Sequence, residues 1–119
     1  KSFATSLSCM DGRVQLPMIN LIKEKYSVDF VDTITAPGID KVIFNGDIES
    51  IKKSVIISVS NHKSSHIVIS GHFGCAGNPV SDEEHFAQIK KSVEVVNSWN
   101  LNVDVIGVWI DENFVPNLL

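Results

Sequence analysis

The chain has 119 residues, 44% of them hydrophobic, and its formal net charge at pH 7 is −4. This length and apolar content suffice for one packed core, so we expect a single domain over residues 1–119. The negative net charge excludes the basic surface typical of nucleic-acid-binding proteins. No apolar run approaches the roughly 20 residues that span a bilayer. The two cysteines allow one disulfide at most and nothing else suggests secretion, so we expect a cytoplasmic protein.

The first part of the chain predicts a strand, a helix and a second strand. Residues 2–8 form a short, moderately apolar strand that ends at Cys9. Pro17 is expected in the first turn of the helix, where its missing N–H does no harm. The apolar stripe of this helix consists of Leu16, Ile19, Leu21, Ile22 and Tyr26. Residues 28–35 are rich in β-forming side chains, and Ala-Pro-Gly at 36–38 ends that strand.

The middle of the chain predicts a helix followed by a buried strand. Asp47 is the expected N-cap of this helix, which ends among residues 60–65. The helix runs through Ile48, Ile51, Val55, Ile56 and Val59. Residues 67–69 are wholly apolar, and continuous rather than alternating apolarity is typical of a central parallel strand that is buried on both faces.

The last third predicts one more helix and two more strands. Residues 81–84 (Ser-Asp-Glu-Glu) form a capping box, and the helix that follows has Phe86, Ile89, Val93 and Val96 inward. Residues 103–110 predict a buried strand and residues 114–119 a short final one. Strands that alternate with helices are typical of βαβ units. We therefore predict an α/β fold, with a mostly parallel β-sheet flanked by helices and a short C-terminal edge strand.

Two short segments carry the candidate chemistry: residues 9–13 (Cys-Met-Asp-Gly-Arg) and residues 72–75 (His-Phe-Gly-Cys). Each follows a predicted strand, and parallel sheets bind ligands beyond the carboxyl ends of their strands. A catalytic zinc site has three protein ligands and an open fourth position, and two thiolates and one imidazole supply those three ligands. We therefore predict that Zn²⁺ is bound by Cys9, His72 and Cys75.

The two cysteines and the pair of Asp11 and Arg13 each have an alternative interpretation. A dithiol redox pair is the main alternative to a metal site, although redox chemistry usually places both cysteines in one Cys-x-x-Cys turn. Asp11 and Arg13 are either a solvated ion pair of little energetic weight or a functional pair. We favour the functional interpretation, in which Arg13 holds Asp11 ionised and oriented beside the metal.

The remaining histidines and the large aromatic side chains are not assigned to the site. The three other histidines, which we expect to be exposed, are His62, His66 and His85. The aromatic side chains expected in the core or at an interface are Trp99, Trp109 and Phe30.

At the two motifs the sequence resembles the β-class carbonic anhydrases. Residues 9–13 are similar to that family's Cys-x-Asp-x-Arg motif, and residues 72–75 are similar to its His-x-x-Cys motif. The resemblance implies a parallel sheet with an antiparallel edge strand, zinc on Cys9, His72 and Cys75, and a catalytic dyad of Asp11 and Arg13. It also implies a homodimer or higher homo-oligomer with the sites at the interface.

The function implied by the resemblance is hydration of a small neutral substrate, carbon dioxide, to bicarbonate by a zinc-bound hydroxide. Two alternatives stay open: hydrolysis of carbon disulfide or carbonyl sulfide at the same zinc site, and zinc binding without catalysis. The sequence departs from the family at Gly12, where many members have Ser, and at Ala76, where Gly is common. Residues 33–38 replace the family's Arg-Asn-Ala-Gly stretch.

Overall fold

The computed structural model describes residues 1–119 as five strands and four helices. The strands are β1 (Phe3–Ser8), β2 (Phe30–Thr35), β3 (His66–His72), β4 (Asp104–Ile110) and β5 (Pro116–Leu118). The helices are α1 (Gly12–Tyr26), α2 (Ile39–Phe44), α3 (Glu49–Asn61) and α4 (Asp82–Asn97). None of these helices combines the length and the apolar character that crossing a bilayer requires.

The five strands form one sheet in the order β2-β1-β3-β4-β5. The first four are parallel, and β5 pairs antiparallel with β4 at the edge. The predicted fold class is therefore confirmed. From β1 the chain first moves outward to β2 and then crosses back to β3 on the other side, so the strand order switches between β1 and β3. Such a switch point is where open α/β sheets bind ligands.

Helices cover both faces of the sheet, and each face has its own apolar core. On one face, α1 packs Val14, Met18 and Ile22 against strand residues that include Val68. On the other face, the cluster contains side chains from α2, α3 and α4 together with Leu7, Ile67 and Ile69. Since β3 is covered on both sides, residues 67–69 are all fully buried, as their continuous apolarity predicts.

Helix α1 begins earlier than the sequence analysis expects. Asp11 is its N-cap, and the Asp11 carboxylate accepts a hydrogen bond from the Arg13 backbone N–H at 2.9 Å. The placement of Pro17 in the first turn is therefore wrong: it lies inside the helix, where it leaves the Arg13 carbonyl without its helical partner. The side chains of α1 that are buried are Val14, Met18 and Ile22, whereas Leu16, expected in the apolar stripe, is 68% exposed.

The segment between β2 and β3 contains a helix that the sequence analysis does not anticipate, the six-residue α2. Its presence explains why Asp47 is not the N-cap of α3, as predicted. The Asp47 backbone N–H closes the end of α2 by donating to the Val42 carbonyl at 3.1 Å, and the N-cap of α3 is Ile48, without a side-chain hydrogen bond.

Helix α4 begins where the capping-box pattern places it. Ser81 is the N-cap, and its hydroxyl accepts a hydrogen bond from the Glu84 backbone N–H at 3.2 Å. The inward positions of α4 include His85, Ile89 and Val96, all of them buried. The predicted start of α4 is therefore confirmed.

Candidate metal centre

The pairing of β1 with β3 brings the two sequence motifs to one edge of the sheet. Leu7 pairs with Ile69 in parallel register, so the residues that follow each strand leave the sheet side by side. Cys9 directly follows β1, and His72 is the last residue of β3. The ligand atoms of Cys9, His72 and Cys75 lie within 4.8 Å of one another, and all three residues are buried.

The spacing of the two sulfur atoms fits a tetrahedral metal. The Sγ atoms of Cys9 and Cys75 are 3.9 Å apart, and both cysteines are free rather than joined in a disulfide. Two zinc–sulfur bonds of about 2.3 Å at a tetrahedral angle would separate the sulfurs by about 3.8 Å. The two thiols are therefore already spaced as ligands of one zinc ion.

The His72 ring is oriented for a metal by its own backbone neighbour. Its Nδ1 lies 2.9 Å from the Phe73 carbonyl oxygen. A carbonyl can only accept a hydrogen bond, so Nδ1 carries the proton and Nε2 presents a lone pair. That Nε2 atom is buried and has no hydrogen-bond partner. An unpartnered buried polar atom costs about 1–3 kcal/mol, and a cation at the sulfur pair would remove that cost.

The two thiols lie in different surroundings. The Gly38 backbone N–H donates to the Sγ atom of Cys9 at 3.4 Å. Burial, together with the neighbouring Cys9, raises the pKa of the Cys75 thiol to about 11. A thiol with this pKa keeps its proton at neutral pH unless a cation stabilises the thiolate. The thiol pair is therefore suited to a divalent metal rather than to acting as a free nucleophile.

Asp11 and Arg13 form a bidentate pair at the start of α1. Arg13 Nε donates to Asp11 Oδ1 at 3.0 Å, and Arg13 Nη2 donates to Asp11 Oδ2 at 2.7 Å. The hydrogen bonds from the Arg13 side chain, and then that from its backbone, hold the pKa of Asp11 well below its usual range. The guanidinium also lies 5.0 Å from the centre of the Phe114 ring. Asp11 is thus a fixed carboxylate two residues from Cys9, outside the group of converging ligand atoms.

A small cavity opens beside Cys9. Its volume is about 170 Å³ and its walls are mostly apolar. The lining residues are Cys9, Met10, Asp11, Pro37, Ala76 and Gly77. Pockets for drug-sized ligands usually measure about 300–1,000 Å³, so this cavity suits a molecule of a few atoms.

The structure corrects the expectation that His85 is exposed. His85 and Asp40 are 2% and 1% exposed, and His85 Nδ1 lies 2.6 Å from Asp40 Oδ2. This pair is not predicted from the sequence, although His85, Ile89 and Ser92 recur at the spacing of a buried helical stripe.

The other unassigned residues are not members of the group of converging ligand atoms. His62 is partly exposed and bonded to Asp32, and His66 is half-buried against the Tyr26 ring. Trp109 is buried, Trp99 is half-buried, and Phe30 is 47% exposed and so lies outside the core.

The comparisons with known proteins agree with this fold. The sequence profile of a protein family described as "Putative carbonic anhydrase" matches residues 1–119. No curated protein sequence matches the chain. Among solved structures, β-carbonic anhydrase isoform I from Trichomonas vaginalis superimposes with a TM-score of 0.69 at 18% identity, over 96% of this chain and 80% of that one.

Two further solved structures have the same fold. Carbonic anhydrase from Streptococcus mutans gives a TM-score of 0.63 at 16% identity, over 96% of this chain and 80% of that one. Carbonic anhydrase from Glaciozyma antarctica gives a TM-score of 0.63 at 14% identity, with the same 96% and 80% coverage. Identities this low show a shared architecture, and the chemistry must be argued from the site itself.

Proposed function

Because the chain belongs to the carbonic anhydrase family whose profile it matches along its whole length, we propose that it is a zinc enzyme that hydrates carbon dioxide reversibly to bicarbonate. One observation carries the proposal. Three ligand atoms converge within 4.8 Å at the switch point of the sheet, and the imidazole nitrogen among them is buried without a partner. Cys9, His72 and Cys75 would hold the ion, and the fourth position would be open to solvent and substrate.

The chain's own residues prepare the attack on the substrate. Zinc, when bound, would supply a nucleophile, because it lowers the pKa of water from about 15.7 toward neutrality. The shift is smaller than at a site of three neutral imidazoles, because two thiolates cancel the formal charge of the ion. Asp11 Oδ1 receives two hydrogen bonds from Arg13, whereas Oδ2 receives one and keeps a lone pair free. We assign to Oδ2 the acceptance of a hydrogen bond from the attacking water, which fixes the direction of the water's remaining lone pairs. Arg13 keeps Asp11 charged and in place.

The cavity beside Cys9 supports a small, neutral substrate. Its volume of about 170 Å³ and its apolar walls suit a linear triatomic molecule such as carbon dioxide. Apart from Asp11, no charged side chain lines it, so the cavity offers no ion pair that would hold a larger charged substrate.

We also propose that the active form is a homodimer or a higher homo-oligomer with the site near the interface. Met10 and Phe73 each follow a proposed ligand directly in sequence, and they are 61% and 45% exposed. Large apolar side chains exposed around a site are typical of surfaces that a partner covers.

Zinc analysis combined with stopped-flow carbon dioxide hydration tests the proposal. Purified, reduced protein should contain one zinc per chain and should hydrate carbon dioxide. His72→Ala should lose both properties. His62→Ala, which removes a partly exposed histidine bonded to Asp32, should keep both and serves as the matched control. Reduced protein without stoichiometric zinc would overturn the proposal, and stoichiometric zinc without hydration would leave a zinc-binding protein that is not a carbonic anhydrase.

A further inference from the structure

We propose that Asp40, held by His85, is the positioning residue that fixes the three ligand-bearing segments relative to one another. Neither residue belongs to the ligand group or to the Asp11–Arg13 pair, and the mechanism above does not use them. The inference rests on the zinc site of the proposed function, and it concerns how tightly and in what geometry that site binds its ion.

The Asp40 carboxylate is buried, and both of its oxygens accept hydrogen bonds. It accepts hydrogen bonds from His85 Nδ1 at 2.6 Å, from Asn78 Nδ2 at 3.1 Å and from the Lys41 backbone N–H at 3.0 Å. A buried carboxylate is stable only when its oxygens are paired in this way, and hydrogen bonds to an ionised group are the strong ones. Asp40 is therefore held rigidly between α2, α4 and the loop that follows β3.

The first connection runs through the start of α2 to Cys9. Asp40 is the second residue of α2, and the N-cap of that helix is Gly38, whose N–H donates to Cys9 Sγ at 3.4 Å. The Asp40 carbonyl also accepts a hydrogen bond from the Ser92 hydroxyl of α4 at 3.2 Å. Asp40 thus anchors the helix start that presents an amide to the first ligand.

The second connection runs through Asn78 to Cys75. Asn78 is fully buried, and its Nδ2 donates to Asp40 Oδ1 and, at 2.6 Å, to Gln88 Oε1. Its backbone N–H donates to the Cys75 carbonyl at 3.2 Å. Because the Asn78 side chain is held by Asp40 and Gln88 and its backbone by Cys75, the turn that carries the Cys75 thiol has a fixed position.

The third connection is a direct contact with the backbone before His72. A Cβ atom placed on Gly71 would lie only 2.6 Å from Asp40 Oδ2, so the carboxylate packs against the Gly71 backbone itself. Gly71 immediately precedes His72 on β3. The buried Asp40 carboxylate therefore contacts the segments that carry Cys75 and His72, and the helix start that it anchors contacts Cys9 through the Gly38 amide. Residues that orient metal ligands typically contribute about 10–100-fold to metal affinity.

The test measures zinc affinity rather than activity. Asp40→Asn keeps the side-chain volume, but an amide has one acceptor oxygen and cannot accept from all three donors. Competition with a chromophoric chelator should show zinc binding weakened about 10–100-fold. The visible d–d absorption of the Co²⁺-substituted protein should also shift, because the ligand geometry relaxes.

The control is Asp32→Asn, which changes a similar pair far from the ligands. Asp32 Oδ2 lies 2.7 Å from His62 Nδ1 and accepts from the Ser58 hydroxyl at 2.7 Å, on the edge strand β2. Its zinc affinity and Co²⁺ spectrum should match those of the native protein. An equal loss in Asp32→Asn would assign the effect to general destabilisation and overturn the inference.

A second pair of variants covers the case in which Asp40→Asn does not fold. In His85→Asn the amide nitrogen stands where His Nδ1 stands and can still donate to Asp40, whereas His85→Ala has no donor. We expect His85→Asn to bind zinc more tightly than His85→Ala. Equal affinities of these two variants, or native affinity in folded Asp40→Asn, would overturn this inference alone. Native protein that binds no zinc would overturn the proposed function and this inference with it.

Discussion

Arg13 is the residue on which the proposed chemistry of the carboxylate depends. It donates three hydrogen bonds to Asp11, two from its side chain and one from its backbone, and its guanidinium lies over the Phe114 ring. Its side chain is 56% exposed, so the pair stabilises the fold little. The geometry therefore indicates that Arg13 orients Asp11 rather than supporting the fold.

Replacing Arg13 with Ala should leave the protein folded and zinc-loaded but reduce hydration by about 10²-fold or more, because Asp11 is no longer held in place. The released carboxylate then becomes available as a fourth zinc ligand that closes the site. Stopped-flow hydration and zinc analysis of the same sample measure both effects. Lys53→Ala, which breaks an exposed ion pair with Glu49, is the control. Full activity of the Arg13→Ala protein would remove Arg13 from the mechanism.

At the scale of elements, the loop after β2 and the loop after β3 meet backbone to backbone. A Cβ on Gly38 would lie 2.9 Å from the Gly77 carbonyl oxygen and 2.8 Å from the Asn78 Cβ. Gly38 also has a φ of 58°, in the left-handed region. Only glycine satisfies both conditions, and the close approach is what allows the Gly38 amide to reach Cys9 Sγ.

Substitutions at Gly38 and Gly46 distinguish the effect of a positive φ from the effect of the close backbone approach. Gly46 also has a positive φ, 80°, but a Cβ there would meet nothing within 4 Å. In Gly46→Ala the free energy of unfolding should therefore fall by only about 1–2 kcal/mol, the cost of placing a residue with a Cβ in the left-handed region. In Gly38→Ala the free energy of unfolding should fall by about 1–3 kcal/mol more, because the added Cβ overpacks the contact between the two loops. Urea unfolding measures the free energy of unfolding of both variants. Equal decreases would show that the two loops can move apart without a loss of stability.

The sequence predicts the elements with strong patterns and misses those that tertiary contacts define. Residues 67–69 and the Ser81 cap are clear because continuous apolarity and a capping hydroxyl have local causes. Helix α2 has only six residues, too few for a periodic signal. The motifs at residues 9–13 and 72–75 identify the candidate ligands, but the Asp40–His85 pair is not evident, because its partners are 45 residues apart and meet only through the packing of α2 on α4.

At the scale of the whole molecule, exposed apolar side chains are found beside the ligands and elsewhere. Met10 and Phe73 follow two of the proposed ligands in sequence, whereas Ile57 of α3, 57% exposed, lies on a helix that carries no ligand. An interface at the site therefore predicts that a charge introduced at Phe73 disrupts the oligomer and that a charge introduced at Ile57 does not.

Phe73→Glu should convert the proposed oligomer to monomers, since a charge in a buried interface must be desolvated without a partner. Ile57→Glu changes a side chain of similar exposure and should leave the oligomer intact. Sedimentation velocity of the zinc-loaded proteins distinguishes the species. A native protein that sediments as a monomer, or a dimer that tolerates Phe73→Glu, would contradict the placement of the interface at the site.

The parallel pairing of β1 with β3 also determines when the proposed metal site can form. Cys9 and Cys75 are 66 positions apart, and the later motif alone offers two donors, fewer than the three of the proposed site. A growing polypeptide therefore has no complete coordination sphere until β3 has emerged from the ribosome and docked beside β1. Unlike a zinc finger, whose ion organises a short local segment, this chain must first close a long loop. Zinc capture in a refolding experiment should consequently lag behind helix formation and report the arrival of the central strands.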